Sequence, residues 1–313
     1  MTESSPPLVS VVICTHNRAA RLGGAIRSVL EQDAAGVPVE LLVVDNRSTD
    51  GTRQLVEAFA GAPVRYVFEP DLGLCHARNT GWRAARGRYV AYLDDDAVAE
   101  PGWLRAMAEA FETTPGVGIV GGRVEPIWEG ARPPWLSDEV ALSLTIVDWS
   151  PTPRIIADLR RQWLVGANMA VRAAVLRDVG GFHPRLDRVG SRMLSSGDVY
   201  LQKQVVARGH RCLYAPAMAV RHAVPAARLT KQWFRRRYYA QGLSDAVMQL
   251  LDGRASPRAR AGTAARMAAR LVTRPRDLGA LLLPTSDPDR FARKCFAWIA
   301  VGTVVGLMGA VRR

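Results

Sequence analysis

Three adjacent carboxylates, Asp94, Asp95 and Asp96, follow the apolar run YVAYL. Neighbouring carboxylates repel one another and cost stability unless cations or hydrogen-bond donors offset them. A hard divalent ion with oxygen ligands does so and can also bridge to substrate phosphates. Side chains alternate along an extended chain, so Asp94 and Asp96 share a side. Another carboxylate, Asp45, ends the apolar run at residues 39–44. There it can accept a hydrogen bond from a base imide or a ribose hydroxyl. The plainer role for either cluster is a helix-capping turn, and Asp50-Gly51 reads as such a turn. A third polar cluster, Thr15-His16-Asn17-Arg18, follows the run LVSVVIC.

The elements that must position these groups are legible from periodicity. Residues 8–14 form a continuous, β-branched run, as expected of a strand buried on both faces. Residues 39–44, 64–68 and 89–93 repeat the pattern. Between them, Leu22, Ile26, Val29 and Leu30 have helical spacing. Ser48 or Thr49 can cap a helix running toward Phe59, and residues 74–85 read as another helix. Pro101 opens one toward Phe111. Strands alternating with helices predict an α/β, Rossmann-like, mostly parallel sheet with helices on both faces. Such sheets bind ligands at the carboxyl ends of their strands. All three polar clusters follow strands, which ties them to one crevice. Residues 125–153, rich in Pro and Trp, read as an irregular loop over the site. Short segments return over 162–220, with a helix at 172–178 and one opened by Asp198. No internal repeat is visible.

Charge divides the 313-residue chain. Residues 228–313 hold 17 Lys and Arg against 5 Asp and no Glu, a net +12. The preceding 227 residues carry 25 basic and 24 acidic side chains, a net +1. The expected division is a catalytic domain over 1–227, with halves near 8–122 and 123–227, and a basic helical C-terminal region over 228–313. A basic region suits a phospholipid surface or a polyanionic acceptor, or is simply a solvated face. Residues 295–311 contain no charge and end that region. They are slightly short for a spanning helix and carry Gly302 and Gly306 in a small-xxx-small arrangement. They suit membrane association or a buried helix. No zinc-finger spacing or RNA-binding signature points to nucleic acid. The cysteines, Cys14, Cys75, Cys212 and Cys295, form no CxxC pair, which suits a reducing compartment. Residues 1–7 lack a basic region followed by an apolar one, so a cytoplasmic location is expected.

The runs VSVVICTHNR, VVDNRSTDGT and GLCHARNTGWRAARGRYVAYLDDD, in this order and spacing, resemble the family 2 glycosyltransferases of the GT-A fold. The resemblance covers residues 8–245, is weak over 125–160 and stops near 250. It implies a nucleotide-diphosphate-sugar donor and Mg²⁺ or Mn²⁺. Thr15, Asn17 and Arg18 would line the nucleotide pocket, Asp45 would bind the base, and Arg78 would approach the nucleotide. The family's Asp-any-Asp motif maps onto Asp94 and Asp96. Asp96 would hold the ion, and Asp94 or Asp95 would contact the ribose. Gly166-Ala167-Asn168 resembles the segment near donor sugar and acceptor. His222, in AVRHAVP, resembles a metal or phosphate ligand of some relatives, and neutral imidazole suits Mn²⁺ better than Mg²⁺. WFRRRYYAQG, at 233–242, resembles a segment that can hold the pyrophosphate, and equally reads as a basic interfacial helix.

Relatives commonly present Glu-Asp at the start of a helix. Here the segment is SSGDVYL, with Asp198 in the Asp position and Gly197 in place of Glu. An inverting transfer needs one carboxylate to take the acceptor proton, and one Asp suffices. The alternative role for Asp198 is capping its helix. The resemblance implies an inverting, metal-assisted transfer to a glycan or lipid-linked acceptor, with the membrane contacted through the C-terminal region. Rival readings are a non-catalytic nucleotide-sugar-binding partner subunit and a sugar nucleotidyltransferase. The latter would normally carry a Gly-rich basic loop after its first strand, where this chain has THNR.

Overall fold

A computed structural model describes residues 7–33, 36–59, 61–189, 193–253, 256–273, 279, 281 and 283–310. Its elements run β1 (Val9–Thr15), α1 (Ala19–Leu30), β2 (Val39–Asp45), α2 (Thr52–Glu57), β3 (Val64–Phe68), α3 (Leu74–Ala84), β4 (Tyr89–Asp94) and β5 (Ala97–Ala99). They continue with α4 (Trp103–Thr113), β6 (Val117–Gly121), β7 (Val124–Trp128), α5 (Asp138–Ala141), β8 (Arg154–Ile155), β9 (Asn168–Arg172), α6 (Ala173–Val179) and α7 (Gly197–Ala207). Then come β10 (Arg211–Tyr214), β11 (Val220–Val224), α8 (Lys231–Leu251), α9 (Pro257–Thr273) and α10 (Pro288–Val305).

The chain forms two compact units. The first comprises Met1–Ile127, Thr145–Pro184 and Gly197–Ala223. It is built on an eight-stranded sheet ordered β3-β2-β1-β4-β9-β6-β10-β8. Strands β3, β2, β1 and β4 are parallel, and β9 runs antiparallel to both its neighbours, β4 and β6. The sheet is thus mostly parallel and covered by helices, as the alternating pattern implies. The apolar runs are its core: Val9, Val11 and Ile13 in β1, and Leu42 to Val44 in β2, are at most 1% exposed. Each such side chain contributes about 1.5–3 kcal/mol relative to exposure. At Gly81 on α3, a Cβ would collide with Val12 and Val44, so the missing side chain lets the helix lie against the sheet. A small second sheet, β5-β11-β7, follows the end of β4.

The second unit comprises Trp128–Leu144, Arg185–Ser196 and Val224–Arg313. Residues 125–153, expected as an irregular loop, thus hold short elements of both units. Helix α5, capped by the Ser137 side chain, has four residues, too few to show a period. Thr230 and Asp287 cap α8 and α10 through the amide groups of Trp233 and Arg290. Trp135 packs edge-on against Phe234 and Phe291, with centroids 5.5 and 4.6 Å apart. Helices α8 and α10 meet at two glycines. A Cβ on Gly302 would strike the carbonyl of Tyr239, and one on Gly242 the carbonyl of Ile299. The small residues therefore join helices within this unit. The segment Pro288–Gly309 is long and apolar enough to cross a membrane, and 44% of its 18-residue apolar window is buried inside the protein. Of the uncharged stretch 295–311, Val311 lies outside the described residues.

Candidate active site

The register of the sheet gathers the predicted groups. Thr15 at the end of β1 pairs with Asp45 of β2, and Cys14 with Asp94 of β4. Three strand ends therefore form one row at the carboxyl edge.

On the β2 side, Asp45 is 3% exposed. One of its carboxylate oxygens accepts the Ser48 amide at 2.8 Å, and the other accepts the Tyr66 hydroxyl at 2.7 Å. Burial, aided by the bond to Asp45, pushes Tyr66 up to about 12, so it stays a donor at neutral pH. Tyr66 was not singled out in the sequence, although its place two residues before the end of β3 points toward Asp45. Asn17 adopts a positive φ of 53° and ties the loop after β1 to the loop after β2. Its amide nitrogen donates to Ser48, and its side-chain oxygen accepts the Thr49 amide at 2.7 Å. Asp50 accepts the Ala19 amide at the start of α1, as a capping turn does.

The acidic triplet divides. Asp95 accepts the buried Thr15 hydroxyl at 2.8 Å. The Arg18 guanidinium bridges Asp95 and Asp96 at 2.9 and 2.8 Å. Burial pulls the Arg18 pKa down, but its two carboxylates outweigh it and the net shift is upward. Burial pushes Asp95 up to about 6 against the pull of Arg18. Asp94 and the other oxygen of Asp96 face His222, whose Nε2 lies 3.9 and 3.1 Å from them. Strand β11 brings this His to the site by pairing antiparallel with β5, with His222 opposite Ala97. His222 is 2% exposed, and its Nδ1 is buried with no hydrogen-bond partner among the described residues.

Asp94, Asp96 and His222 each offer one ligand atom, all within 4.8 Å of one another. Two carboxylates and an imidazole converging on one point fit Mg²⁺ or Mn²⁺, with the nitrogen favouring Mn²⁺. The cluster thus brings together the two residues expected to hold the ion, Asp96 and His222, and adds Asp94.

A chain of charges leads from this cluster to Asp198. Arg78, on α3, contacts Asp94 at 3.3 Å and lies beneath the rings of Phe182 and Tyr92, 5.3 and 5.9 Å from its guanidinium carbon. Burial opposes its charge, yet Asp94 and Asp198 together raise its pKa. Gly166 lies against the same guanidinium, where a Cβ would collide with it. The Gly166 amide donates to one Asp198 oxygen at 3.0 Å, and the Val199 amide to the other at 2.8 Å. Asp198 sits in the first turn of α7 and is half-buried, with lone pairs left for a further donor.

Asn168 departs from its expected place beside donor and acceptor. It is fully buried. Its side-chain oxygen accepts the Trp103 indole N–H at 2.8 Å, and its amide donates to the carbonyls of Arg123 and Met218 at 3.0 and 2.7 Å. With its oxygen and both N–H groups engaged at zero exposure, this amide does not reach a ligand. Asn168 fastens β9 to its surroundings, and Gly166 is the member of that segment that reaches the charged groups.

The family model for glycosyl transferase family 2 matches residues 10–180, more than half of the chain. The chain is 27% identical to the glucosyl-dolichyl phosphate glucuronosyltransferase of Haloferax volcanii over 79% of each chain. It is 30% identical to the glycosyltransferase AglE of the same organism, over 74% of this chain and 72% of that one. In fold it is similar to the mannosyltransferase PcManGT from Pyrobaculum calidifontis, solved with GDP-Man and Mn²⁺. That match has a TM-score of 0.60 at 22% identity, over 98% of this chain and 90% of that one. The architecture is therefore GT-A, and the chain belongs to glycosyl transferase family 2.

Proposed function

We propose that this glycosyltransferase moves a sugar from a nucleotide diphosphate-sugar to an acceptor hydroxyl by a single, inverting displacement, with Asp198 as general base. The observation that carries this reading is the chain Asp96–His222–Asp94–Arg78–Asp198. It links a carboxylate held by two backbone amides, through Arg78, to a cluster with the donor set for a divalent cation. Asp45 and Tyr66 would recognise the base, and the Asn17 loop would shape that end of the pocket. Arg18 holds Asp95 and Asp96 in place, with Thr15 supporting Asp95 from below, and Asp95 or Asp94 would meet the ribose. A divalent ion held by Asp94, Asp96 and His222 would supply charge neutralisation at the leaving diphosphate. Asp198 would accept the acceptor proton as the oxygen attacks, and the amides of Gly166 and Val199 keep its carboxylate oriented.

The similarity to a glucosyl-dolichyl phosphate glucuronosyltransferase supports a lipid-linked or glycan acceptor. Residues 228–313, at net +12, would bind an anionic membrane surface from the cytoplasmic side. Phe296 and Met308, 41% and 75% exposed, offer apolar contacts there, and the half-buried α10 favours lying on the surface over spanning it. The test is turnover of the purified chain over a panel of nucleotide sugars with Mn²⁺, Mg²⁺ or EDTA. Full activity in EDTA would remove the ion, and full activity of a folded Asp198→Asn variant would remove the base.

A further inference from the structure

The opposite end of the sheet carries a second concentration of charge, of the other sign. Arg86, Gly87 and Arg88 precede β4, while the acidic triplet follows it. Six strand residues at about 3.3 Å each separate the two clusters by roughly 20 Å. Because β9 is antiparallel to β4, its last residue, Arg172, pairs with Tyr89, the first residue of β4. Helix α6, which follows β9 directly, then supplies Arg177 from its last turn. These four arginines, with Pro7, line a cavity of about 510 Å³ within the first unit. That volume lies in the range of small-molecule sites.

The frame of this cavity is fixed from behind. The Gly87 amide donates to the Ser10 hydroxyl at 2.8 Å, and the Arg86 amide to Glu40 at 2.6 Å. A Cβ on Gly87 would run into the backbone and side chain of Ser10, so only glycine fits. Arg172 is held by the carbonyls of Val117 and Phe111, both at 2.7 Å, and packs on the rings of Tyr89 and Phe111. Arg88 pairs with Glu112 at 3.2 Å. The exposed guanidinium groups of Arg86 and Arg177 have no hydrogen-bond or ion-pair partner among the described residues. Glu40 pairs with Arg65, and Asp178, next to Arg177 in the chain, pairs with Arg208. Four like charges thus line one cavity whose lining holds no acid, which favours an entering anion.

We infer that this Arg86–Arg88–Arg172–Arg177 cavity, at the amino ends of the strands, is a second anion site that takes a phosphoryl group. Guanidinium forks match the several oxygens of a phosphate, and two of the four are free to close on it. The volume leaves room for the organic part of a phosphorylated small molecule, or for a phosphomonoester lipid headgroup. Nothing in the proposed transfer uses these residues.

The test uses the full chain in EDTA, where the acidic triplet at the other end repels anions. Isothermal titration with inorganic pyrophosphate compares the parent, Arg86→Ala/Arg177→Ala and Arg18→Ala. Both cavity arginines are exposed, and circular dichroism checks that the variants are folded. The expected result is saturable binding in the parent, weakened at least tenfold by the double substitution and unchanged by Arg18→Ala, while glycosyl transfer by the double variant stays intact. Co-sedimentation with phosphatidic acid vesicles identifies the source. Vesicle binding that falls with pyrophosphate binding in the double variant marks a headgroup, and pyrophosphate loss alone marks a soluble phosphorylated ligand. Pyrophosphate affinity in the double variant within twofold of the parent, or binding lost on Arg18→Ala instead, would overturn the inference.

Discussion

Asp198 has both carboxylate oxygens on backbone amides, at 3.0 and 2.8 Å, so its orientation is set by the chain itself. Replacing it with Asn keeps the volume and removes the base. The expected loss in kcat is about 10²–10⁴-fold, with donor KM little changed. Steady-state kinetics on a variant whose melting curve matches the parent checks this. Asn168 calls for a different measurement. Asn168→Ala would leave a buried indole N–H and two carbonyls without partners, which costs roughly 3 kcal/mol or more. Urea unfolding should show that loss. The two residues also mark what one sequence discloses. Asp198 is readable because it opens a helix within a recognisable segment. The structural role of Asn168 is not, because its indole partner lies 65 residues away, on α4. Tyr66 was missed for a related reason: its function arises only when β3 pairs with β2 and brings it to Asp45.

At the scale of elements, the carboxyl edge was legible because β1, β2 and β4 are continuous apolar runs ending in polar clusters. Their direction follows from the intervening helices. The reversal of β9 was not legible, since an apolar run reads the same in either direction. It matters, because it delivers Arg172 to the start of β4. The β5–β11 pairing matters equally: it converts a lone His in the sequence into a neighbour of Asp94 and Asp96. His222→Ala should therefore weaken Mn²⁺ binding by at least roughly tenfold, read by titration calorimetry. A change smaller than twofold would place the ion elsewhere. In the second unit, the helical character of the described part of residues 228–313 was legible, whereas the contact that uses Gly302 was not. Gly302→Leu would press a side chain against the Tyr239 carbonyl, with an expected cost of about 1–3 kcal/mol. Thermal unfolding and resistance to proteolysis should both fall.

At the scale of the whole molecule, the +13 charge is concentrated: residues 228–313 hold +12 of it. Binding to anionic vesicles should therefore weaken steeply as ionic strength rises, since the Debye length falls from about 10 Å at 0.1 M to about 3 Å at 1 M salt. Flotation of the full chain with anionic and neutral vesicles checks this, and equal binding to both would contradict it. The central claim concerns the reaction, and it is tested most directly by the configuration of its first product. The donor that turns over should be followed by time-resolved proton NMR, with the anomeric signal read before mutarotation. A single displacement at a site with one base predicts that the transferred sugar, or the sugar released to water, appears first as the anomer opposite to that in the donor. First appearance of the donor's own configuration would contradict the account.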